Sequence, residues 1–352
     1  MDQALTTGSD CLCEGRIVTF PLAAEIYLWL IKRHSHRSPE NYSMSVLVEL
    51  NRNEYPDTAL DGFRTTSQFS LDNARAMMWL SQLAYETAHQ PKVKSILDAW
   101  QLTMPVFVTN DPGTGLPPHS ACVVGAAGRG ATFFTFAGSD PLKAEDWVTD
   151  FNAMPSPDDL HTGFQKAVET VWPVIQAAIA NRATPAEPLF FTGHSMGGAL
   201  AILSAARAAQ QPNVQKTVVY TFGSPRTGGQ AFFDSYTLGD STFRLVDGTD
   251  IVPTVPPPQL GDYHHVGRAI QCKTDGRFDD PDAKKIAAAE NKPDLAESAI
   301  QSALADFGAL AAFQPFQGIG PGLIDQLARF LPRMVRDHVP RKYFRALSIA
   351  IQ

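Results

Sequence analysis

The chain has 352 residues, enough for two ordinary domains or one large α/β domain. With 44% hydrophobic and 18% charged residues it has the composition of a folded protein with a sizeable core, which excludes a disordered chain. Its 29 Lys and Arg against 36 Asp and Glu give a net charge of −7, which argues against general attraction to nucleic acid.

The four cysteines, Cys11, Cys13, Cys122 and Cys272, are too few for a disulfide framework and suit a reducing compartment. The chain starts Met1-Asp2-Gln3 without the basic run of a secretory signal. The apolar stretch Ile17 to Ile31 contains Pro21 and Glu25 and is too short to span a bilayer, so no transmembrane segment is expected. Together these features predict a cytoplasmic protein.

Residues 1–65 have mixed polarity without a sustained period and are read as an N-terminal extension packed on a main domain, residues 66–352. Ser70 caps the first amphipathic helix, with Leu71, Ala74, Met77, Met78 and Tyr85 at helical spacing. Beyond a Pro- and Gly-rich stretch, Ala121–Gly125 and Ala131–Phe136 flank a Gly128-Arg129-Gly130 turn, which predicts a hairpin. Phe164, Val168, Val171, Trp172, Ile175 and Ile179 predict a long helix, with a kink at Pro173.

Strands and helices then alternate: strand Leu189–Thr192, helix Gly197 to about Ala209, strand Thr217–Phe222, a helix near Gln230 and strand Thr242–Val246. That alternation predicts a mostly parallel mixed sheet with helices on both faces. Residues 281–335 are rich in Ala, Leu and Phe and are interrupted by Gln314–Gly322. They read as a helical insertion or cap.

Gly193-His194-Ser195-Met196-Gly197 follows an apolar strand and opens an Ala/Leu-rich helix. This is the setting of a nucleophile elbow, in which a sharp strand-to-helix turn lifts a serine above the sheet and the glycines allow close approach of neighbouring backbone. A serine nucleophile needs an acid and a histidine further along such a chain. Asp250 and Asp247 compete for the acid, and His264, His265 and His338 are the histidines downstream. Neither His34-Ser35-His36 nor His264-His265 has Cys or carboxylate neighbours in a ligand pattern, so no metal is expected. Gly125, Gly128 and Gly130 lack the helix that a dinucleotide loop requires, and Cys122 reads as a buried hydrophobe.

Several segments, in order between about residues 71 and 272, resemble the class 3 lipases, a family of α/β-hydrolase fold. They are Thr135–Ser139, Asp146-Trp147-Val148-Thr149-Asp150, His161–Phe164, the elbow, Tyr220–Arg226 and Asp250–Pro253. The resemblance implies Ser195 as nucleophile, Asp250 as triad acid and the backbone N–H groups of Ser139 and Met196 as oxyanion hole, with Asp150 holding the Ser139 hydroxyl. The Asp337-His338 to Tyr343 segment resembles the family's late helix and implies His338 as the catalytic base, whereas the Tyr263–Gly267 segment resembles a structural stretch. The chain departs from the family at Ala137, where Arg is frequent, and at Pro141–Ala144, which lengthens the loop after Ser139.

The expectation is therefore an α/β-hydrolase that cleaves carboxylic esters, with an acylglycerol or other lipid ester as substrate, transient contact with a lipid interface and no cofactor. A phospholipase A1, a short-chain carboxylesterase and a lipid-binding pseudoenzyme on the same scaffold are the alternatives.

Overall fold

The computed structural model describes residues 49–109, 121–138, 159–256, 262–272, 276–278 and 337–351. The insertion read at 281–335 lies outside the described residues, as does most of the extension read at 1–65. By contacts the chain divides into Met1–Glu40 and Asn41–Gln352, and the described residues all belong to the second unit. Within it, Leu50, Tyr55, Leu60 and Phe63 are buried.

Among the described residues seven strands form one sheet in sequential order: β1 Thr103–Val108, β2 Val123–Gly128, β3 Ala131–Phe136, β4 Leu189–His194, β5 Thr217–Phe222, β6 Thr242–Val246 and β7 Arg268–Gln271. The first two pairings are antiparallel and those from β3 to β7 are parallel. Among the described residues six α-helices accompany them: α1 Leu71–Leu83, α2 Gln90–Ala99, α3 Thr162–Ala180, α4 Met196–Ala209, α5 Gln230–Ser235 and α6 Pro340–Ala346. Pro173 lies within α3, which continues through it as one helix.

The β2–β3 hairpin closes with two residues, since Gly128 pairs with Ala131. Both turn residues have positive φ, 52° at Arg129 and 76° at Gly130, as the tight turn between right-twisted strands requires. A non-glycine residue is unfavourable there. The Arg129 guanidinium offsets this by donating to the Trp100 and Leu60 carbonyls and to Asp61.

Connections between parallel strands are right-handed, so a sheet whose strand order never reverses receives every crossover helix on one face. Accordingly α3 and α4 pack together on one core that includes Phe134, Phe136, Phe191 and Val219, and Phe232 of α5 packs against it. The other face carries Phe133, Phe190, Val218, Tyr220 and Phe243 and cannot be covered by a crossover. It is covered by helices from outside the crossovers: α1 and α2 before the sheet and α6 after it. Paired aromatics in β3 and β4 supply both cores because alternate strand residues point to opposite faces. Continuous apolar strands thus follow from burial on both sides.

The first described residues are held by a buried carboxylate. Glu86 has a fully buried side chain, and its Oε1 accepts from the Leu50 N–H at 2.9 Å and the Tyr55 O–H at 2.7 Å. Its Oε2 accepts from Lys92 Nζ at 2.6 Å, and Lys92 also donates to the Leu50 carbonyl. Removing one partner of a buried charge pair leaves the other groups unsatisfied. Glu86→Ala should lower stability by about 3 kcal/mol, read as a lower urea midpoint with unchanged slope. A change under about 0.5 kcal/mol, the range of ordinary surface substitutions, would contradict this role.

Candidate active site

The carboxyl-terminal ends of parallel strands are where open α/β sheets gather functional side chains. Ser195 stands immediately after β4, with φ 60° and ψ −134°, an unfavourable backbone for a non-glycine residue. Its N–H donates to the Phe222 carbonyl at 2.8 Å, which fixes the turn against the end of β5. The turn also needs bare backbone. A Cβ on Gly193 would come within 2.2 Å of the Gly197 backbone, and one on Gly197 within 2.2 Å of the Phe136 carbonyl oxygen. Side chains at either position would push α4 off the sheet. The Ser195 side chain is buried, and among the described residues its hydroxyl has no hydrogen-bond partner.

Asp250 lies beyond the end of β6 and His338 just before α6, and the structure brings them together. The His338 ring Nδ1 sits 2.9 Å and 3.0 Å from the two Asp250 carboxylate oxygens, with both residues buried. The same carboxylate accepts from the Val252 N–H at 2.9 Å and from the Tyr343 O–H at 2.6 Å. Burial, then the Asp250 charge, holds the Tyr343 phenol well above its ordinary pKa, so it remains a donor. With an acceptor-only carboxylate at Nδ1, that nitrogen carries the proton, and in the neutral ring Nε2 is the basic atom.

The serine turn is adjacent to this pair. His194 and His338 have ring centroids 4.6 Å apart, and a Cβ on Gly223, the residue after Phe222, would fall 2.5 Å from Asp250 Oδ2 and 2.9 Å from His338 Nδ1. Met196 opens α4. Ser139 lies outside the described residues, as do Asp146, Trp147, Asp150 and Pro141–Ala144. Gly138, just before Ser139, is packed against the turn, 3.0 Å from the Ser195 Cβ by the same construction.

The rival residues are engaged elsewhere. His265 donates from Nε2 to the Pro253 carbonyl at 2.6 Å, and burial, then the Arg244 and Arg226 charges, holds its pKa well below the ordinary value. It is a neutral strut for the loop that follows Asp250. His264 meets Asp262 at 3.1 Å on the surface. Asp247 is buried beside Cys272, and its pKa is pushed up to about 6, first by burial and also by the nearby Asp337 charge.

Two residues that the sequence reading named only within the late-helix pattern, without a role of their own, complete the frame. Asp337 accepts from both the N–H and the hydroxyl of Thr249 at 3.0 Å, tying the histidine segment to the acid loop. Tyr343 supports Asp250 and also reaches the Asp247 N–H with its hydroxyl oxygen, 3.2 Å away. Their proximity in sequence to His338 was the available signal. Among the described residues no group of His, Cys, Asp or Glu is arranged to hold a metal ion, and no helix is long and apolar enough to cross a membrane.

A family model described as Lipase (class 3) matches residues 133–260, the span that holds most of β3, the serine turn and Asp250. Over that span the chain is similar to the class 3 lipases. A secreted mono- and diacylglycerol lipase of Fusarium solani is 36% identical over 133 residues, covering 35% of this chain and 39% of the relative. A lipase of Caenorhabditis elegans is 30% identical over 203 residues, covering 54% of this chain and 56% of the relative. The chain thus spans about two fifths to just over half the length of these curated relatives. The fold is similar to that of the Rhizomucor miehei lipase propeptide complex, with a TM-score of 0.51 at 20% identity over 75% of this chain and 88% of that one.

The cytoplasmic expectation is corrected here, because the Fusarium relative is named as a secreted lipase. A core of this size needs no disulfide in either compartment, so a small cysteine count does not discriminate between them.

The raised Asp247 pKa gives a signed stability prediction. A carboxyl whose pKa is higher folded than unfolded favours the fold below its unfolded value, near 3.8, and loses that contribution as pH rises through about 6. Asp247→Asn should therefore raise stability by roughly 1 kcal/mol at pH 8 and by little at pH 4. Equal melting-temperature changes at both pH values would contradict a buried charge at this position.

Proposed function

We propose that the chain is a serine carboxylic-ester hydrolase acting on acylglycerols, with Ser195 as nucleophile, His338 as general base and Asp250 as the acid that orients it. The observation that carries this reading is the buried Asp250–His338 pair beside a serine on a strained strand-to-helix turn. The acylglycerol assignment draws on the match to the class 3 lipase model and on the name of the Fusarium relative, and a location outside the cell accords with that name.

Ser195 Oγ attacks the ester carbonyl carbon while its proton passes to His338 Nε2. Asp250 keeps Nδ1 protonated and offsets the imidazolium charge that develops. The oxyanion of the tetrahedral intermediate accepts hydrogen bonds from the Met196 N–H and the Ser139 N–H. Collapse expels the alcohol, which takes the proton from His338 and leaves an acyl-Ser195 ester. Water then gives its proton to His338 and attacks the acyl carbon. Breakdown releases the fatty acid and returns the proton to Ser195.

A fluorophosphonate probe should label Ser195 in the wild type, and Ser195→Ala should abolish both labelling and ester hydrolysis while leaving the melting temperature close to wild type. His338→Ala should lower kcat by about 10³ or more. Asp250→Asn should cost on the order of 10⁴, because the amide favours the wrong imidazole tautomer. Asp247→Asn and His265→Ala should be much milder. Full activity in His338→Ala, or equal losses in the two Asp variants, would overturn the assignment. Hydrolysis of p-nitrophenyl esters of graded length, an acylglycerol emulsion and a phospholipid tests the substrate class, and preference for the phospholipid would contradict it.

A further inference from the structure

His194, the residue before the nucleophile, is engaged at both ring nitrogens. Its Nε2 lies 2.7 Å from the backbone carbonyl oxygen of His338, and its Nδ1 lies 2.7 Å from the Tyr85 hydroxyl. A carbonyl only accepts, so Nε2 carries a proton. The ring is buried, and burial, then the neighbouring His338, holds its pKa well below the ordinary histidine value. It is therefore neutral, Nδ1 is bare, and the Tyr85 O–H donates to it. The Tyr85 hydroxyl is itself backed by main chain, since a Cβ on Gly138 would come within 2.4 Å of it.

Ser195 is placed by the sheet through β4, whereas His338 arrives 143 positions later in the chain, in a turn that only then enters α6. Side-chain bonding to Asp250 fixes the imidazole at Nδ1 but leaves its main chain to be held by something else. The His194 Nε2–H bond does this from the residue adjoining the nucleophile. Building on the Ser195–His338 reading above, we propose that His194, oriented by Tyr85, is a positioning residue: it pins the His338 main chain to the serine turn and so registers base against nucleophile. His194 touches neither substrate nor transferred proton. The ordinary alternative is a buried histidine that only satisfies the core.

Four full-length proteins separate these readings: wild type, Tyr85→Phe, His194→Asn and His194→Gln. Asparagine is too short to reach the His338 carbonyl, whereas glutamine can place an amide N–H near the position of Nε2. With p-nitrophenyl butyrate, well below each melting temperature, His194→Asn should lower kcat about a hundredfold with KM nearly unchanged, the scale of a misplaced catalytic group. His194→Gln should recover about tenfold of that loss, and Tyr85→Phe should lose about fivefold. In ¹⁵N-histidine NMR of the wild type, His194 should remain neutral with the proton on Nε2 between about pH 5 and pH 8.

Wild-type kcat in His194→Asn, equal losses in the Asn and Gln variants, or a His194 that titrates in that range would each overturn the inference. If His194→Asn does not fold, the Gln and Phe variants and the NMR readout decide. A wild type inactive toward the ester would contradict the hydrolase reading instead, and the NMR readout would then judge this inference alone.

Discussion

The buried hydrogen bond between Asp250 and His338 joins residues 88 positions apart and ties the end of the described chain to the parallel edge of the sheet. It couples covering the core to assembling the site. Right-handed crossovers leave one sheet face without a helix of its own, and α6 covers part of that face with Phe344 and Leu347 packed behind it. The helix that completes the core therefore also delivers the histidine. The turn before it reaches the acid loop through Asp337 and the helix itself does so through Tyr343, so neither element can shift without the other.

Burying the Asp250 carboxylate is tolerated because its oxygens are met. The Asp250 carboxylate has three donors, from Val252, Tyr343 and His338. A partly satisfied network here would cost more than an apolar core, whereas a fully satisfied one holds a single geometry. The turn at Ser195 adds backbone strain, retained because the Phe222 carbonyl, the Gly193–Gly197 contact and the Phe136 backbone enclose it. Rigid placement at the end of β4 and long-range anchoring at His338 are complementary solutions to one problem of registration.

Much of this was legible in the residues. The double aromatics Phe133-Phe134 and Phe190-Phe191 mark strands buried on both faces, and the glycines around Ser195 mark a turn with no room for side chains. Elements whose local pattern is weak were not read. In β1, Pro105 lies between Thr103 and Val106, where the register shifts, as an edge strand allows. β7 has only four residues, too few for a visible alternation. Tyr85 carried a helical-spacing signal, but its hydroxyl meets a residue 109 positions away, which no periodicity reveals. His194 stood in view inside the motif, yet its role depends on a carbonyl 144 positions later. The compartment was misread because cysteine count and an absent basic start record what a stretch of sequence lacks rather than what the fold requires.

The claim that Asp250 works through His338 is tested most directly by a double-mutant cycle on ester hydrolysis. If the pair is one unit, Asp250→Asn should cost on the order of 10⁴ in kcat in the wild type and nothing further in a His338→Ala background. Equal losses in both backgrounds would show that Asp250 acts independently of His338, and would contradict the account.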